Sequence, residues 1–209
     1  QKLNASGIVC VIITTINKEI DHTMYAITKY GSETEVWRAS QEGVPVVIVN
    51  PGVIIGPGFW DSGSGKIFKK VQDGLKYHFP KTTGFVGVDV VVAIMQKLMA
   101  LPVKNEEFIL VSENLRFREV FEMIAENLGQ PAPSKELKPW MVFVGWIWQE
   151  VTGLFSGKEK QLNSLSQKSL FEDTFYSNQK ISAELSYEFE PIQEVIQKTA
   201  RNFRKDFSE

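Results

Sequence analysis

Cysteine and histidine are nearly absent: Cys10 stands alone, and His22 and His78 are the only imidazoles. One thiol closes no intrachain disulfide, and so few scattered ligands make no zinc spacing, so neither a disulfide scaffold nor a metal centre is expected. A reducing compartment, the cytoplasm, is the expected setting. Long hydrophobic runs are missing as well. The most apolar stretch, Trp140–Trp148, is nine residues long, against the roughly 20 that a membrane-spanning helix needs. There is no dense block of Lys or Arg and the net charge is −2, which argues against nucleic acid as a partner. Gln1 is not followed by a basic leader and a cleavable apolar region, and no initiator methionine is present, so the chain reads as a fragment or a processed start.

What remains is an ordinary globular composition, 43% hydrophobic and 23% charged over 209 residues, enough for one large domain or a domain with a smaller second lobe. The run Gly7–Ile16 is β-branched and continuous, the pattern of a strand buried on both faces of a parallel sheet. After a polar loop, Thr23 to Glu42 contains no proline, places Ala26, Ile27, Tyr30 and Trp37 near helical spacing, and meets Gly43 as a stop. Val44–Val49 is a second buried-strand run that ends in the Pro/Gly-rich "NPGVIIGPG". Strand, helix and strand in that order predict parallel pairing, with a ligand crevice outside the carboxyl ends of the strands.

Farther on, "TTGFVGVDVVVAIMQKLMALP" reads as a strand and a helix, and Glu106–Ser112 as another strand. "NLRFREVFEMIAENLGQPAP" reads as an amphipathic helix with Leu115, Val120, Phe121, Ile124 and Leu128 on one face and Gly129 as its stop. The segment from Trp140 through Phe143, Trp146 and Trp148 reads as a helix or helix pair apolar on all sides. A short helix in "SNQKISAEL" and a last one starting near Pro191, with Ile192, Val195, Ile196, Thr199 and Phe203 as its buried stripe, complete the chain.

Within the first predicted helix, Tyr25 and Lys29 lie four residues apart, the spacing that puts an ammonium beside a phenol on one helical face. The spacing alone decides nothing. Five tyrosines and eighteen lysines should produce it about 0.4 times by chance, and it also occurs at Tyr77/Lys81 and Tyr176/Lys180. Pro80 breaks a helix at the second pair. Ser177 or Asn178 reads as an N-cap at the third, leaving Tyr176 outside the helix and Lys180 inside it.

Taken in order, "YAITK", "VVIVNPGVIIGPG", "GFVGVDVVVAIM", "FREVFEMIAENLG" and "SNQKISAELSYEFEPIQEVI" resemble the extended short-chain dehydrogenase/reductase family, which includes nucleotide-sugar epimerases, 3β-hydroxysteroid dehydrogenases and dihydroflavonol reductases. The resemblance implies a partial Rossmann-type, doubly wound parallel α/β sheet with a smaller, mainly helical C-terminal substrate lobe. It divides the chain into 1–58 and 82–112 as parts of the dinucleotide-binding domain, 59–81 as a substrate-lobe insertion and 113–209 as the substrate lobe. It implies that Tyr25 exchanges a proton with substrate, that Lys29 favours the phenolate and binds the nicotinamide ribose, and that Asn50, Pro51, Gly52 and Val53 border the nicotinamide of NAD or NADP. The family's catalytic Ser/Thr is matched best by Ser6, with Thr14 and Thr15 as nearer candidates. The glycine-rich turn that approaches the pyrophosphate has no counterpart in the chain, and with it goes the residue that separates NAD from NADP.

The expectation is an NAD(P)-dependent oxidoreductase acting on a secondary alcohol or ketone of an apolar small molecule, without an integral membrane segment and with a homodimer as one option for assembly. A nucleotide-sugar epimerase/dehydratase, or a non-catalytic cofactor-sensing protein on the same fold, are the alternatives.

Overall fold

The computed structural model describes residues 8–12, 24–103, 105–142 and 171–207, with the side chains of 24–29 left out of the description. Strand β1 (Val9–Ile12), helix α1 (Met24–Gln41) and strand β2 (Val46–Pro51) form the expected unit. β1 pairs parallel with β2, Ile12 opposite Val49, and β2 pairs parallel with β6 (Glu106–Leu110), giving the order β1-β2-β6. Every residue of β2 is buried, as a run without polar alternation requires. One face of this sheet sends Val47, Val49, Phe108 and Leu110 into a core with Val90, Val91, Ile94 and Leu98 of α3 (Val88–Ala100) and Ile181 of α5 (Gln179–Leu185). The other face buries Ile48, and α1 also packs against β2. The chain is thus a doubly wound α/β protein built on parallel strands.

β1 is less enclosed than its sequence predicts. Its burial declines along the strand until Ile12 is 41% exposed, because among the described residues it has a partner on one side only. α1 departs from expectation at Tyr30. Tyr30 is 56% exposed, whereas Glu33 and Ser40, seven residues apart, are the buried positions. Trp37 Nε1 donates to Glu33 Oε1 at 3.2 Å, and Ser40 Oγ donates to the Trp37 carbonyl at 2.8 Å.

A second sheet follows from a segment that reads as loop. Val53–Ile55 forms β3, which pairs parallel with β5 (Thr82–Gly87), and β5 pairs antiparallel with β7 (Glu113–Arg116). Leu115 therefore sits on a strand, not on the helix predicted for it. That helix, α4 (Phe117–Leu128), starts where the Arg116 amide donates to Glu119 Oε2 at 2.7 Å and stops at Gly129, whose φ of 68° is the left-handed geometry of a helix end. Tyr77–His78, where Pro80 rules out a helix, is strand β4, paired with β8 (Lys135–Glu136).

The second core lies over this sheet. It joins Ile55 and Phe85 to Trp60, to Phe68 and Val71 of α2 (Gly65–Gln72), and to Val120 and Ile124 of α4. It also takes in Ile192, Val195, Ile196, Ala200 and Phe203 of α6 (Ile192–Asp206), where the predicted stripe is buried throughout, Thr199 included. Glu113 Oε2 accepts the Ile192 amide at 2.6 Å, placing a carboxylate at a helix N-terminus, where the dipole favours it.

Candidate functional site

The site develops where β2 leaves one sheet and β3 enters the other. Asn50, the penultimate residue of β2, is 2% exposed, and its side-chain amide donates to Glu107 on the neighbouring strand β6 while Oδ1 is buried with no partner among the described residues. An orphan acceptor of this kind costs about 1–3 kcal/mol. Pro51 lies opposite Leu110, and the Gly52 amide donates to the Leu110 carbonyl at 3.0 Å, the last backbone tie to the first sheet. Val53, opposite Phe85, begins the second sheet. Gly52 is required sterically: a Cβ there would lie 2.3 Å from the Gly84 carbonyl oxygen.

Outside this crossing runs an open groove of about 460 Å³, whose wall includes Gly52, Val53, Gly56, Pro57, Phe59 and Val88. Among the described residues that line it, none is ionisable, and the hydroxyls are those of Ser62 and Ser64. The two sequence-predicted border residues Gly52 and Val53 thus face a cavity. Asn50 and Pro51 are held within the sheet beside it. The Gly/Ser-rich "GPGFWDSGSG" that builds the outer wall was readable only as a loop; nothing in its pattern signalled that Val88, at the start of α3, would close the same groove.

Tyr25 and Lys29 fall in the opening turns of α1, and their side chains lie outside the described residues, as does Ser6. The rival tyrosines are described. Tyr77 is part-exposed on β4, and Lys135 Nζ lies 5.8 Å from its ring centre. Tyr176 precedes α5, with its backbone N–H and carbonyl both held at 2.9 Å by the Asn114 side-chain amide, and burial pushes its phenol up. Lys180, inside α5, instead donates to Glu106 Oε2 at 2.7 Å and to the Glu107 carbonyl at 2.8 Å. The shift at Tyr176 is opposite to the one that a proton-transferring tyrosine near neutral pH requires.

Of the tryptophan-rich segment, residues 139–142 are helical, with Trp140 62% exposed and Val142 buried. Phe143, Trp146 and Trp148 lie outside the described residues. Among the described residues no helix is long and apolar enough to cross a membrane.

Parallel strands wrapped by helices, with a groove at the point where the chain changes sheets, define a nucleotide-binding type of α/β fold. A family model of NAD-binding proteins described as "Male sterility protein" matches residues 11–95, the span from β1 through the crossing to α3. A sterol demethylase protein B of Methylococcus capsulatus is 27% identical over 121 residues, 56% of this chain and 36% of its own. A candidate dihydroflavonol 4-reductase of Synechocystis sp. is 24% identical over 181 residues, 82% of this chain and 52% of its own. The crystal structure of a nucleoside-diphosphate-sugar epimerase from Pseudomonas aeruginosa superposes with a TM-score of 0.73 at 17% identity, covering 92% of this chain and 59% of that one. Over these spans the chain is similar to NAD-binding proteins and to reductases and epimerases of the extended short-chain dehydrogenase/reductase type. It spans about a third to a half of the length of the curated relatives it matches.

Proposed function

We propose that this chain carries the proton-transfer residues and the nicotinamide border of an NAD(P)-dependent oxidoreductase that reduces a ketone, or oxidises a secondary alcohol, of an apolar small molecule. The carrying observation is topological. The carboxyl end of β1 lies beside Val49, one residue from Asn50, α1 with Tyr25 and Lys29 follows β1 in the chain, and Gly52 and Val53 wall the groove that opens at the same crossing. The division of the chain at 58, 81 and 112 into cofactor and substrate parts belongs to this reading.

In it, the Tyr25 phenol gives its proton to the carbonyl oxygen of the substrate or takes it from the alcohol. A free phenol titrates near ~10, and the Lys29 ammonium one turn away favours the phenolate enough to make that exchange practicable near neutral pH. Ser6 hydrogen-bonds the same substrate oxygen. Bound NAD or NADP supplies or accepts the hydride. The residues present fit such a group at one point in particular: Asn50 Oδ1, buried with no partner among the described residues, is an acceptor that an amide donor or the Lys29 ammonium would satisfy.

The epimerase/dehydratase alternative draws support from the Pseudomonas aeruginosa neighbour, whereas the curated relatives named for sterol and dihydroflavonol chemistry favour a flat apolar substrate. A non-catalytic protein on the same fold is the third reading. Turnover of the full-length protein and its Tyr25→Phe variant separates them. The expected result is loss of ketone reduction by about 10²-fold or more with the cofactor dissociation constant within about twofold of the parent. Near-normal reduction by the variant would remove Tyr25 from the mechanism, and epimerisation of a nucleotide sugar by the parent without net ketone reduction would favour the second reading.

A further inference from the structure

We propose that Phe59 is the specificity-determining residue of the groove, an aromatic plate that stacks on a flat, uncharged ketone in a groove whose described walls offer no cation to a sugar diphosphate. The inference rests on the oxidoreductase reading for the reaction, but its test is a binding measurement.

Phe59 and Trp60 are neighbours with opposite fates. Trp60 is buried, donates from Nε1 to Asp206 Oδ2 at 2.8 Å, and meets Phe203 edge-on with ring centres 4.9 Å apart. Beyond Phe59, Ser64 Oγ donates to the Ile54 carbonyl, and Gly65 packs so tightly on the Phe59 carbonyl oxygen that a Cβ there would lie 2.2 Å from it. The backbone around Phe59 is therefore fixed on both sides, while its side chain is 78% exposed on the groove wall. A single exposed aromatic is unremarkable on a convex surface. One held by an anchored backbone beside a cavity has already lost much of the freedom that binding would otherwise remove.

The chemistry of the walls selects the occupant. A sugar nucleotide brings a diphosphate, which needs cationic side chains or a cluster of open amides. Among the described lining residues no cation is present. Of the amides in and just after the Ser/Gly turn, Ser62 N donates to the Phe59 carbonyl at 3.4 Å, Lys66 N to the Ser62 carbonyl at 3.3 Å and Ile67 N to the Ser64 carbonyl at 3.0 Å. Val53, Pro57 and Val88 offer apolar contact instead, and Phe59 adds a face on which a planar ring stacks.

Calorimetric titration of the full-length protein, with nicotinamide cofactor present, tests this with two probes, 2-acetylnaphthalene and UDP-glucose. The parent should bind 2-acetylnaphthalene more tightly than UDP-glucose. Phe59→Ala should weaken 2-acetylnaphthalene about tenfold, Phe59→Trp should retain it, and neither should change cofactor affinity or lower the melting temperature by more than about 2 °C, the side chain being exposed. Parent binding that favours UDP-glucose, undetectable binding of 2-acetylnaphthalene, or an unchanged Phe59→Ala titration would each overturn the assignment. Binding as expected without any reduction of the ketone would leave Phe59 in place and count against the oxidoreductase reading instead.

Discussion

A Cβ on Gly52 would lie 2.3 Å from the carbonyl oxygen of Gly84, and one on Gly84 would lie 2.5 Å from Val111 Cγ2. The two glycines let the chain cross from the first sheet to the second at backbone contact. Gly52→Ala should lower stability by about 1–3 kcal/mol, because the obstructing atom is backbone and cannot swing aside. Urea unfolding of the variant beside the parent measures this. Parent-like stability combined with lost cofactor affinity would show instead that Gly52 serves a ligand and not the crossing.

Trp60 ties the outer wall of the groove to the last turn of α6. Trp60→Phe keeps an aromatic ring against Phe203 and Phe68 but removes the hydrogen bond to Asp206, so a cost of about 1–2 kcal/mol is expected. Asp206→Ala should reproduce most of it, and the double variant should cost clearly less than the sum of the two, since both break one contact. Additive losses in thermal melts would mean that the pair does not act as a unit.

Much of this architecture was legible because burial leaves a signature. The unbroken Val46–Val49 run marks β2, and the spacing of Ile192, Val195, Ile196, Thr199 and Phe203 marks α6. β3 was hidden because three residues after Pro-Gly are too few for a period and look like part of a turn. Leu115 happens to fall at helical spacing from the α4 face, and the start of α4 gives no Ser, Thr, Asp or Asn at the cap position, where Arg116 stands. For α1, apolar counting missed Glu33 and Ser40, which lie on the same side of the helix as Trp37, because the burial of a glutamate and a serine is decided only by tertiary packing. At the site, the contiguous Asn50–Val53 could be read from the chain. The groove could not, since Gly52, Phe59 and Val88 meet through two sheets and no local pattern encodes that meeting.

Burial pushes the Cys10 thiol up to about 11 from the usual ~8.5. At neutral pH it should be almost wholly protonated and alkylate slowly with iodoacetamide, the rate rising only as pH approaches the shifted value. The same shift fixes the sign of a stability effect. The folded chain keeps a proton that the unfolded chain releases first, so stability contributed by the neutral thiol is present below the unfolded pKa and is lost as pH rises through about 9 to 11. Rapid labelling at pH 7 under native conditions, followed by mass spectrometry, would contradict the raised thiol pKa of this half-buried residue.

Asn50 offers a test that separates packing from ligand contact. Its amide nitrogen donates to Glu107, and it is almost fully buried. Asn50→Asp removes that donor and sets a second carboxyl group against the first. Two carboxylates this close and this poorly solvated do not both ionise cheaply, so the introduced group should titrate well above ~3.9 in the folded chain. With the folded pKa raised, the folded state binds the extra proton, and stability falls as pH rises from the unfolded value through the folded one. The variant should therefore be destabilised by about 2–4 kcal/mol at pH 8 and recover much of that at pH 5, where the protonated acid again donates to Glu107. Melting curves of parent and variant at both pH values read the effect, and an equal deficit at pH 5 and pH 8 would refute a charge-based cause. Cofactor titration at pH 5, where the packing is restored, then asks the second question: affinity still lost there would assign Asn50 to the nicotinamide border, and affinity regained would leave it as a strand-to-strand tie.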